Sequence, residues 1–182
     1  HRGQQEAIVR MIVWHLEMRS PEAVTGKRLD HPDAVLVEAE IRQAAFNRFL
    51  YQLVGEDWDW TQKNRWSLAQ WQAQVERPEV RTWVLYVKGS PAGYVEMVRQ
   101  PLIDGEGHQI EIENFGLARP FIGQGLGSGF LTEALNLAWA FADEQGNLPK
   151  RVWLHTCSGD HPNARANYEA RGFQLFKTVD EG

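Results

Sequence analysis

Apolar positions along the first half of the chain predict two helices. Apolar side chains recur at helical spacing over residues 44–53, and Gly55 is typical of a residue that ends a helix. A second helix is predicted to begin near Ser67, with Leu68 on its inward face, and Pro78 lies just beyond its end. The two patterns follow each other closely, so we expect the helices to be neighbours along the chain.

Runs of β-branched and alternating residues predict strands on both sides of these helices. The predicted strands cover residues 8–18, 34–38, 82–87, 92–98, 109–117, 151–156 and 172–179. A long helix after a glycine-rich turn is expected to end at Gly146, and a shorter helix is predicted over residues 162–171. This order predicts an α/β fold with a mixed, mostly antiparallel sheet and helices on both faces.

Composition limits the classes of protein that fit this pattern. The 182 residues fit one domain with a sizeable core, and the net charge of −5 disfavours a nucleic-acid partner. The single cysteine, Cys157, cannot form a disulfide within one chain and fits a reducing compartment, so we expect a cytoplasmic protein. The apolar run at residues 7–14 is too short to span a membrane, and no membrane partner is expected.

The domain organisation is predicted from the same pattern. Residues 1–40 are expected to form an N-terminal extension with one or two strands, and residues 41–182 the main domain. The early strand at residues 8–18 either extends the sheet or pairs with another subunit. Because an exposed strand edge invites pairing, a homodimer is a hypothesis.

The segment Ile122-Gly-Gln-Gly-Leu-Gly-Ser128 lies between a predicted strand and a predicted helix. Glycines allow a sharp turn, and the free N–H groups of the helix start form an anion site suited to a pyrophosphate. A triphosphate loop needs a Lys that is absent, and a dinucleotide fold needs an acid where the next strand ends at His155-Thr156. Two interpretations then remain: a site for coenzyme A, or a tight connection between strand and helix that binds no ligand.

A second segment, Ala164-x-x-x-Tyr168-x-x-x-Gly172-Phe173, follows the glycine turn some forty residues later. In this order the two segments resemble the GNAT acetyltransferase superfamily. The resemblance covers residues 80–176 well and the first 80 residues only in the order of elements. It implies the GNAT acyl-CoA N-acyltransferase fold and transfer of an acetyl group from acetyl-CoA to an amine.

The resemblance also implies roles for particular residues. Backbone amides of the glycine turn would bind the pyrophosphate of coenzyme A; the turn consists of Gly123, Gln124, Gly125, Leu126, Gly127 and Ser128. The end of the preceding strand would pair with the pantetheine arm; these residues are Phe115, Gly116 and Leu117. Tyr168 would contact the cofactor and protonate the leaving thiolate. The family often has Asn four residues before the helix Ala, a position that His161 fills, and Asn163 nearby is the expected contact.

Candidates for the general base are less sharply defined. Glu111 and Glu113 lie two apart on one strand, and Glu96 lies on its neighbour. A carboxylate in a partly buried cleft can deprotonate an ammonium group or bind a cationic acceptor. We rank Glu111 and Glu96 above Glu113 because central positions on paired strands favour a cleft-facing role. His155 is a further candidate base, and Cys157 is not expected to form an acyl-enzyme.

The acceptor is predicted only as a class. An acidic protein suits a cationic partner, and Trp58 and Trp60 with flanking Asp residues either hold a cation or fill a core. We expect direct transfer to a primary amine on a small molecule or a peptide. A non-catalytic acyl-CoA-binding or regulatory module and an enzyme for another acyl chain are the alternatives. Six scattered His residues without an H-x-x-x-H pattern predict no metal site.

Overall fold

The computed structural model describes residues 10–181 as seven strands and four helices. The strands are β1 (Ile12–Met18), β2 (Ala34–Glu38), β3 (Val80–Val87), β4 (Ser90–Pro101), β5 (His108–Leu117), β6 (Val152–Cys157) and β7 (Gln174–Asp180). The helices are α1 (Ala44–Gly55), α2 (Leu68–Val75), α3 (Leu126–Trp139) and α4 (Ala164–Ala170). This element order confirms the predicted α/β class.

All seven strands belong to one sheet in the order β2-β3-β4-β5-β6-β1-β7. Neighbouring strands are antiparallel except β5 and β6, which are parallel. The sheet is therefore mixed and mostly antiparallel, as the pattern predicts. Strands β1 and β2 come from the segment expected as an N-terminal extension, and both are part of this sheet.

Strand β1 lies inside the sheet, between β6 and β7. Leu16 pairs with Leu154 on one side and with Leu175 on the other. Of the two alternatives for this strand, extension of the sheet is the one that the structure has over residues 12–18. The first part of the predicted strand, residues 8 and 9, lies outside the described residues. The hypothesis of a dimer through this strand loses its premise, because its backbone is paired within the chain.

The two faces of the sheet carry different helices. Leu85, Val95 and Ile110 belong to the main core together with residues of α3 and α4. Val84 and Tyr94 point the other way, because side chains alternate along a strand, and pack under α1. The helices thus cover both faces, and β1 adds Leu16 and Met18 to the side of α3.

Two details of the helices differ from the expectations. Leu68 is 48% exposed, because it is the first residue of α2, while Ser67 caps the helix and accepts a hydrogen bond from the backbone N–H of Gln70. Helix α3 ends at Trp139 rather than at Gly146. Beyond it the Asp143 side chain accepts backbone hydrogen bonds from the segment 145–147, and this local turn competes with the helix.

Candidate active site

Strands β5 and β6 separate at the centre of the sheet. They pair at two positions, Ile110 opposite Val152 and Glu111 opposite Trp153. Beyond these positions β5 continues to Leu117 with no partner strand on that side among residues 10–181. Unpaired backbone groups need water or a ligand, so an extended chain can enter here and pair with the free edge.

A cavity of about 650 Å³ fills the opening between the two strands. Its wall combines the end of β5 with β6, the loop after α1, the start of α4 and the strand β1. The three residues expected along the pantetheine arm lie in this wall: Phe115, Gly116 and Leu117. A pocket of this size and shape suits a small ligand.

The glycine-rich turn follows the end of β5. Gly123 and Gly125 adopt φ angles of +84° and +75°, which lie in the left-handed region that favours glycine. A Cβ atom on either residue would meet no atom of the described chain within 4 Å. Conformation therefore requires glycine at these two positions, and the open space outside them leaves the backbone accessible to a ligand.

The start of α3 offers the backbone donors of this turn. Gly125 caps the helix and Leu126 begins it, so the first-turn N–H groups have no partner within the helix. The Gln124 side chain donates to the carbonyl of Pro120 at 2.9 Å, which leaves its backbone for a ligand. The turn adjoins the cavity, because a Cβ atom on Gly127 would lie 3.7 Å from the side chain of Leu117. Ser128 is exposed beside it.

Tyr168 lies in the cavity wall, on α4. Its ring packs against Phe115 and Phe173 with centroid distances of 6.1 and 5.9 Å. Its hydroxyl has no hydrogen-bond partner within residues 10–181 and the residue lines the cavity. Burial, with a smaller contribution from Asp160, raises the pKa of Tyr168, so the phenol keeps its proton at neutral pH and can act as a donor.

The two candidates before α4 are placed differently. His161 lies in the cavity wall and packs edge-on against Trp58. Asn163 is exposed, is not part of the wall, and its backbone N–H donates to Nδ1 of His161 at 3.0 Å. The structure therefore brings His161 to the cavity and leaves the expected contact Asn163 outside it.

Glu96 is not brought to the cavity. It is completely buried under α1, where Asn47 donates to its carboxylate at 2.8 Å. Burial raises the pKa of Glu96. Its central position on β4, which suggested a cleft-facing role, instead places it beneath a helix, because α1 covers this face of the sheet.

Of the three strand carboxylates considered as bases, Glu113 is the one that lines the cavity. It binds Lys63, whose Nζ atom lies 2.9 Å from Oε1 of Glu113. Burial opposes ionisation of Glu113, but the charge of Lys63 and the hydrogen bond that Lys63 donates act against it, and the pKa of Glu113 is lowered. Among the three strand carboxylates, the one ranked last by sequence is therefore the one that faces the cavity.

Glu111 lies behind the cavity wall, between Gln100 and His155. Gln100 donates to its Oε1 atom at 2.8 Å, and Nε2 of His155 lies 4.0 Å from its Oε2 atom. Burial, together with the neighbouring charge of Glu113, raises the pKa of Glu111 to about 8. A group with this pKa titrates near neutral pH, which suits a general base, and His155 connects it to the cavity wall.

The tryptophan-rich segment after α1 closes one side of the cavity. Trp58 and Trp60 line it, whereas Trp71 is in the core. The indole N–H of Trp60 donates to Asp160 at 2.8 Å, and the backbone N–H of Asp59 donates to the carbonyl of residue 159 at 3.1 Å. The segment therefore bridges from α1 to the loop after β6 and places Trp58 and Trp60 in the cavity wall.

Cys157 lies in the cavity wall as a free thiol. Burial and the nearby Asp160 raise the pKa of the Cys157 thiol, so it is a weak nucleophile. This environment favours direct transfer over an acyl-enzyme.

Within residues 10–181, no group of three His, Cys, Asp or Glu side chains is arranged to hold a metal ion. None of the helices in this part of the chain has the length and apolar character needed to cross a membrane.

Sequence reasoning missed two contributors to the cavity. Lys63 is a cation buried among aromatic rings, and only its position beside the Trp residues hinted at this. His15 on β1 lies in the wall near His155, with a ring-centroid distance of 5.7 Å. No signal in the sequence points to His15, because its place depends on pairing between residues more than a hundred positions apart.

Comparison with known proteins adds a family to this geometry. The family model described as the acetyltransferase (GNAT) family matches residues 43–173. Comparison with curated proteins found no match.

Solved structures with the same fold share little sequence with this chain. A conserved protein of unknown function from Staphylococcus epidermidis has a TM-score of 0.61 at 17% identity, over 93% of this chain and 60% of that protein. A GCN5-related N-acetyltransferase from Kribbella flavida has a TM-score of 0.56 at 16% identity, over 94% of this chain and 56% of that protein. This chain thus spans less than two thirds of the length of both.

A third structure is similar in length. An aminoglycoside acetyltransferase from an uncultured soil metagenomic sample, in complex with sisomicin, has a TM-score of 0.53 at 14% identity, over 76% of this chain and 86% of that protein. At such identities the likeness is one of fold.

Proposed function

The chain belongs to the GNAT acetyltransferase family, and from this premise we propose that it transfers an acetyl group from acetyl-CoA directly to the primary amine of a cationic acceptor. The observation that carries the proposal is the opening between β5 and β6, which ends at an exposed glycine turn. An extended thiol-bearing arm and a pyrophosphate need these two features side by side. The acetyl group and the cytoplasmic location are part of the proposal.

The cofactor would be held mainly by backbone. The free edge of β5 at residues 115–117 would pair with the pantetheine arm, and the amides of residues 123–128 would bind the pyrophosphate. The residues fit this role because the turn is exposed and its two left-handed glycines carry no side chain into the open space. Acetyl-CoA supplies the activated thioester.

The chemistry requires one proton donor and one proton acceptor. The acceptor nitrogen attacks the thioester carbon, the C–S bond breaks, and the thiolate takes a proton. Tyr168 is the donor in this proposal, because it lies in the cavity wall in its neutral form. The proton of the acceptor nitrogen passes to the carboxyl pair formed by Glu111 and Glu113. A backbone N–H near Leu117 is the partner for the carbonyl oxygen.

The charge of the cavity supports a cationic acceptor. The carboxylates of Asp59, Glu113, Asp160 and Glu181 lie in its wall. The wall has one Lys or Arg among the described residues, Lys63, and that side chain is already paired with Glu113. An acceptor with its own carboxylate would meet repulsion here. The solved structure with the same fold is an aminoglycoside acetyltransferase in complex with sisomicin, and an acceptor of that kind is compatible with this proposal.

The organisation beyond the site stays a prediction. We propose residues 41–182 as the catalytic domain, close to the family match that begins at residue 43. Strand β1, from the preceding segment, lines the cavity through Val13 and His15. A homodimer is a hypothesis that gel filtration checks, and a monomer would dismiss it.

The test separates the donor from the acceptor. In a thermal-shift panel, acetyl-CoA should raise the melting temperature more than NAD does, and longer acyl-CoAs report the preference for the acyl chain. A screen of polyamines, aminoglycosides and amino acids, with detection of released thiol, then identifies the acceptor class. Stabilisation by NAD and not by acetyl-CoA would refute the proposal. Binding without turnover for any amine would favour a non-catalytic module.

A further inference from the structure

Lys63, in the loop between α1 and α2, is a buried cation. Its side chain is 9% exposed, and its ammonium group lies 5.7, 5.2 and 5.9 Å from the ring centroids of Tyr51, Trp66 and Trp71. Burying a charge is costly unless it is paired, and aromatic faces offset only part of that cost. The position therefore needs an anion, and Glu113 provides it at 2.9 Å.

The anion of this pair is not alone. Glu111 lies two residues before Glu113 on β5, and the charge of Glu113 contributes to the raised pKa of Glu111. Two carboxyl groups that interact in this way favour a state in which only one of them is ionised, because two adjacent anions repel each other. Lys63 contacts Glu113 and not Glu111, so the pair is asymmetric.

The other polar groups around the pair come from several elements. They are Glu96, Tyr94 and Gln100 on β4, Asn114 on β5, His155 on β6, Asn47 and Tyr51 on α1, and Gln74 on α2. His155 is the one other basic side chain of this set, and it faces Glu111 at 4.0 Å. The Asn114 amide is oriented so that its nitrogen donates to the Glu113 carbonyl and its oxygen accepts from Nζ of Lys63 at 3.2 Å. Lys63 therefore has a second oxygen acceptor. Lys63 is thus the fixed cation of the cluster.

We propose that Lys63 is a positioning residue that keeps Glu113 ionised and leaves the single proton of the carboxyl pair on Glu111. The inference rests on the proposed function and deepens it, because it assigns different tasks to the two carboxyl groups. Glu113, always an anion, attracts the ammonium group of the acceptor into the cavity. Glu111 releases and takes up the proton.

The electrostatics agree with the geometry. The pKa of Glu113 is lowered and that of Glu111 is raised to about 8 by burial and by the charge of Glu113. The charge of Lys63 acts on both carboxyl groups in the direction that favours ionisation. Without Lys63 the pair would hold its proton to a higher pH, and that proton would no longer be confined to Glu111.

The experiment titrates the carboxyl carbons of the ligand-free protein by NMR after labelling with ¹³C-glutamate. Glu111→Gln and Glu113→Gln assign the two resonances. In the wild-type protein we expect the Glu111 resonance to titrate near pH 8. The Glu113 resonance should titrate at a pH below the ordinary pKa range of Glu. A Glu113 resonance that titrates near neutral pH would overturn the inference, and this result needs no Lys63 variant.

The variants then test the cause. In Lys63→Met the pKa of Glu113 should rise. In Lys63→Arg, which keeps the positive charge, the pKa of Glu113 should stay low. Lys88→Met is the matched control, because Lys88 is an exposed lysine on a turn remote from the pair. An unchanged Glu113 titration in Lys63→Met would also overturn the inference.

Activity gives the second readout. The acid limb of kcat/KM against pH should move upwards by about one unit in Lys63→Met, which is about a tenfold loss of kcat/KM at neutral pH. If no amine is acetylated, the proposed function fails while the NMR titrations still decide the role of Lys63. If activity is present but its pH profile does not move, the role of Lys63 fails alone.

Discussion

Replacing Tyr168 by Phe removes one hydroxyl group from the cavity wall and little else. The ring keeps its contacts with Phe115 and Phe173, and no hydrogen bond within residues 10–181 is lost. The free energy of unfolding should therefore change by less than about 1 kcal/mol. General acid catalysis is worth about 100- to 10,000-fold, so we expect kcat to fall by about 100-fold or more, which corresponds to about 3 kcal/mol.

The assay compares three measurements on the same variant. Released thiol gives kcat, calorimetric titration gives the affinity for acetyl-CoA, and urea unfolding gives the stability. Tyr94→Phe is the matched control, because Tyr94 is a buried tyrosine that lies under α1, outside the cavity wall. Turnover that is unchanged in Tyr168→Phe, or reduced equally in both variants, would refute the assignment of Tyr168 as the proton donor.

Three further perturbations follow from the site. Gly125→Ala forces a side chain into the left-handed region at a cost of about 1 to 2 kcal/mol and should weaken acetyl-CoA binding. Gly146→Ala, at a similar φ of +84° but far from the site, should lower only the stability. Calorimetric titration of both variants with acetyl-CoA checks this difference. The pKa of Glu111 in the folded protein is raised to about 8. Between the ordinary pKa range of Glu and pH 8, Glu111 is therefore protonated in the folded protein and ionised in the unfolded chain. The contribution of Glu111 to the free energy of unfolding consequently falls as the pH rises through this window. In urea unfolding from pH 5 to 9, the free energy of unfolding should decline less for Glu111→Gln than for the wild-type protein. An identical decline in both proteins would contradict the shifted pKa. Trp60→Phe removes the hydrogen bond to Asp160, so the protein should lose about 1.5 kcal/mol of stability and the KM of the acceptor should rise; unchanged values of both would mean that this bridge does not shape the cavity.

The elements that local pattern determines were predicted well. The helix at α1 and the hairpin of β3 and β4 lie where their periodicity places them, since amphipathic spacing reports directly which face of an element is buried. The glycine turn was also predicted, because the left-handed backbone at Gly123 and Gly125 favours glycine, which is recognisable in the sequence. The end of α3 was not, because the side chain of Asp143 stabilises a competing turn that periodicity does not reveal.

The position of β1 depends on interactions that have no local signature. Its β-branched and apolar residues predict a strand, and the structure has this strand at Ile12–Met18 with Leu16 and Met18 buried. Which strands it pairs with is decided by residues 154 and 175, more than a hundred positions away. Any strand with a compatible apolar face would satisfy the pattern, so an edge and a central position look alike in the sequence.

The cavity-facing position of Glu113 could not be predicted for a related reason. Alternation along β5 places Glu111 and Glu113 on one face, but the register between β4 and β5 shifts between Glu96 and Met97. Glu96 then pairs with Asn114 and Met97 with Ile112, which leaves Glu113 as the extra residue of a bulge. A bulge turns its residue away from regular alternation, and here it lies where β5 departs from β6. Glu113 therefore lies in the cavity wall, beside a lysine that only the folded loop after α1 can supply.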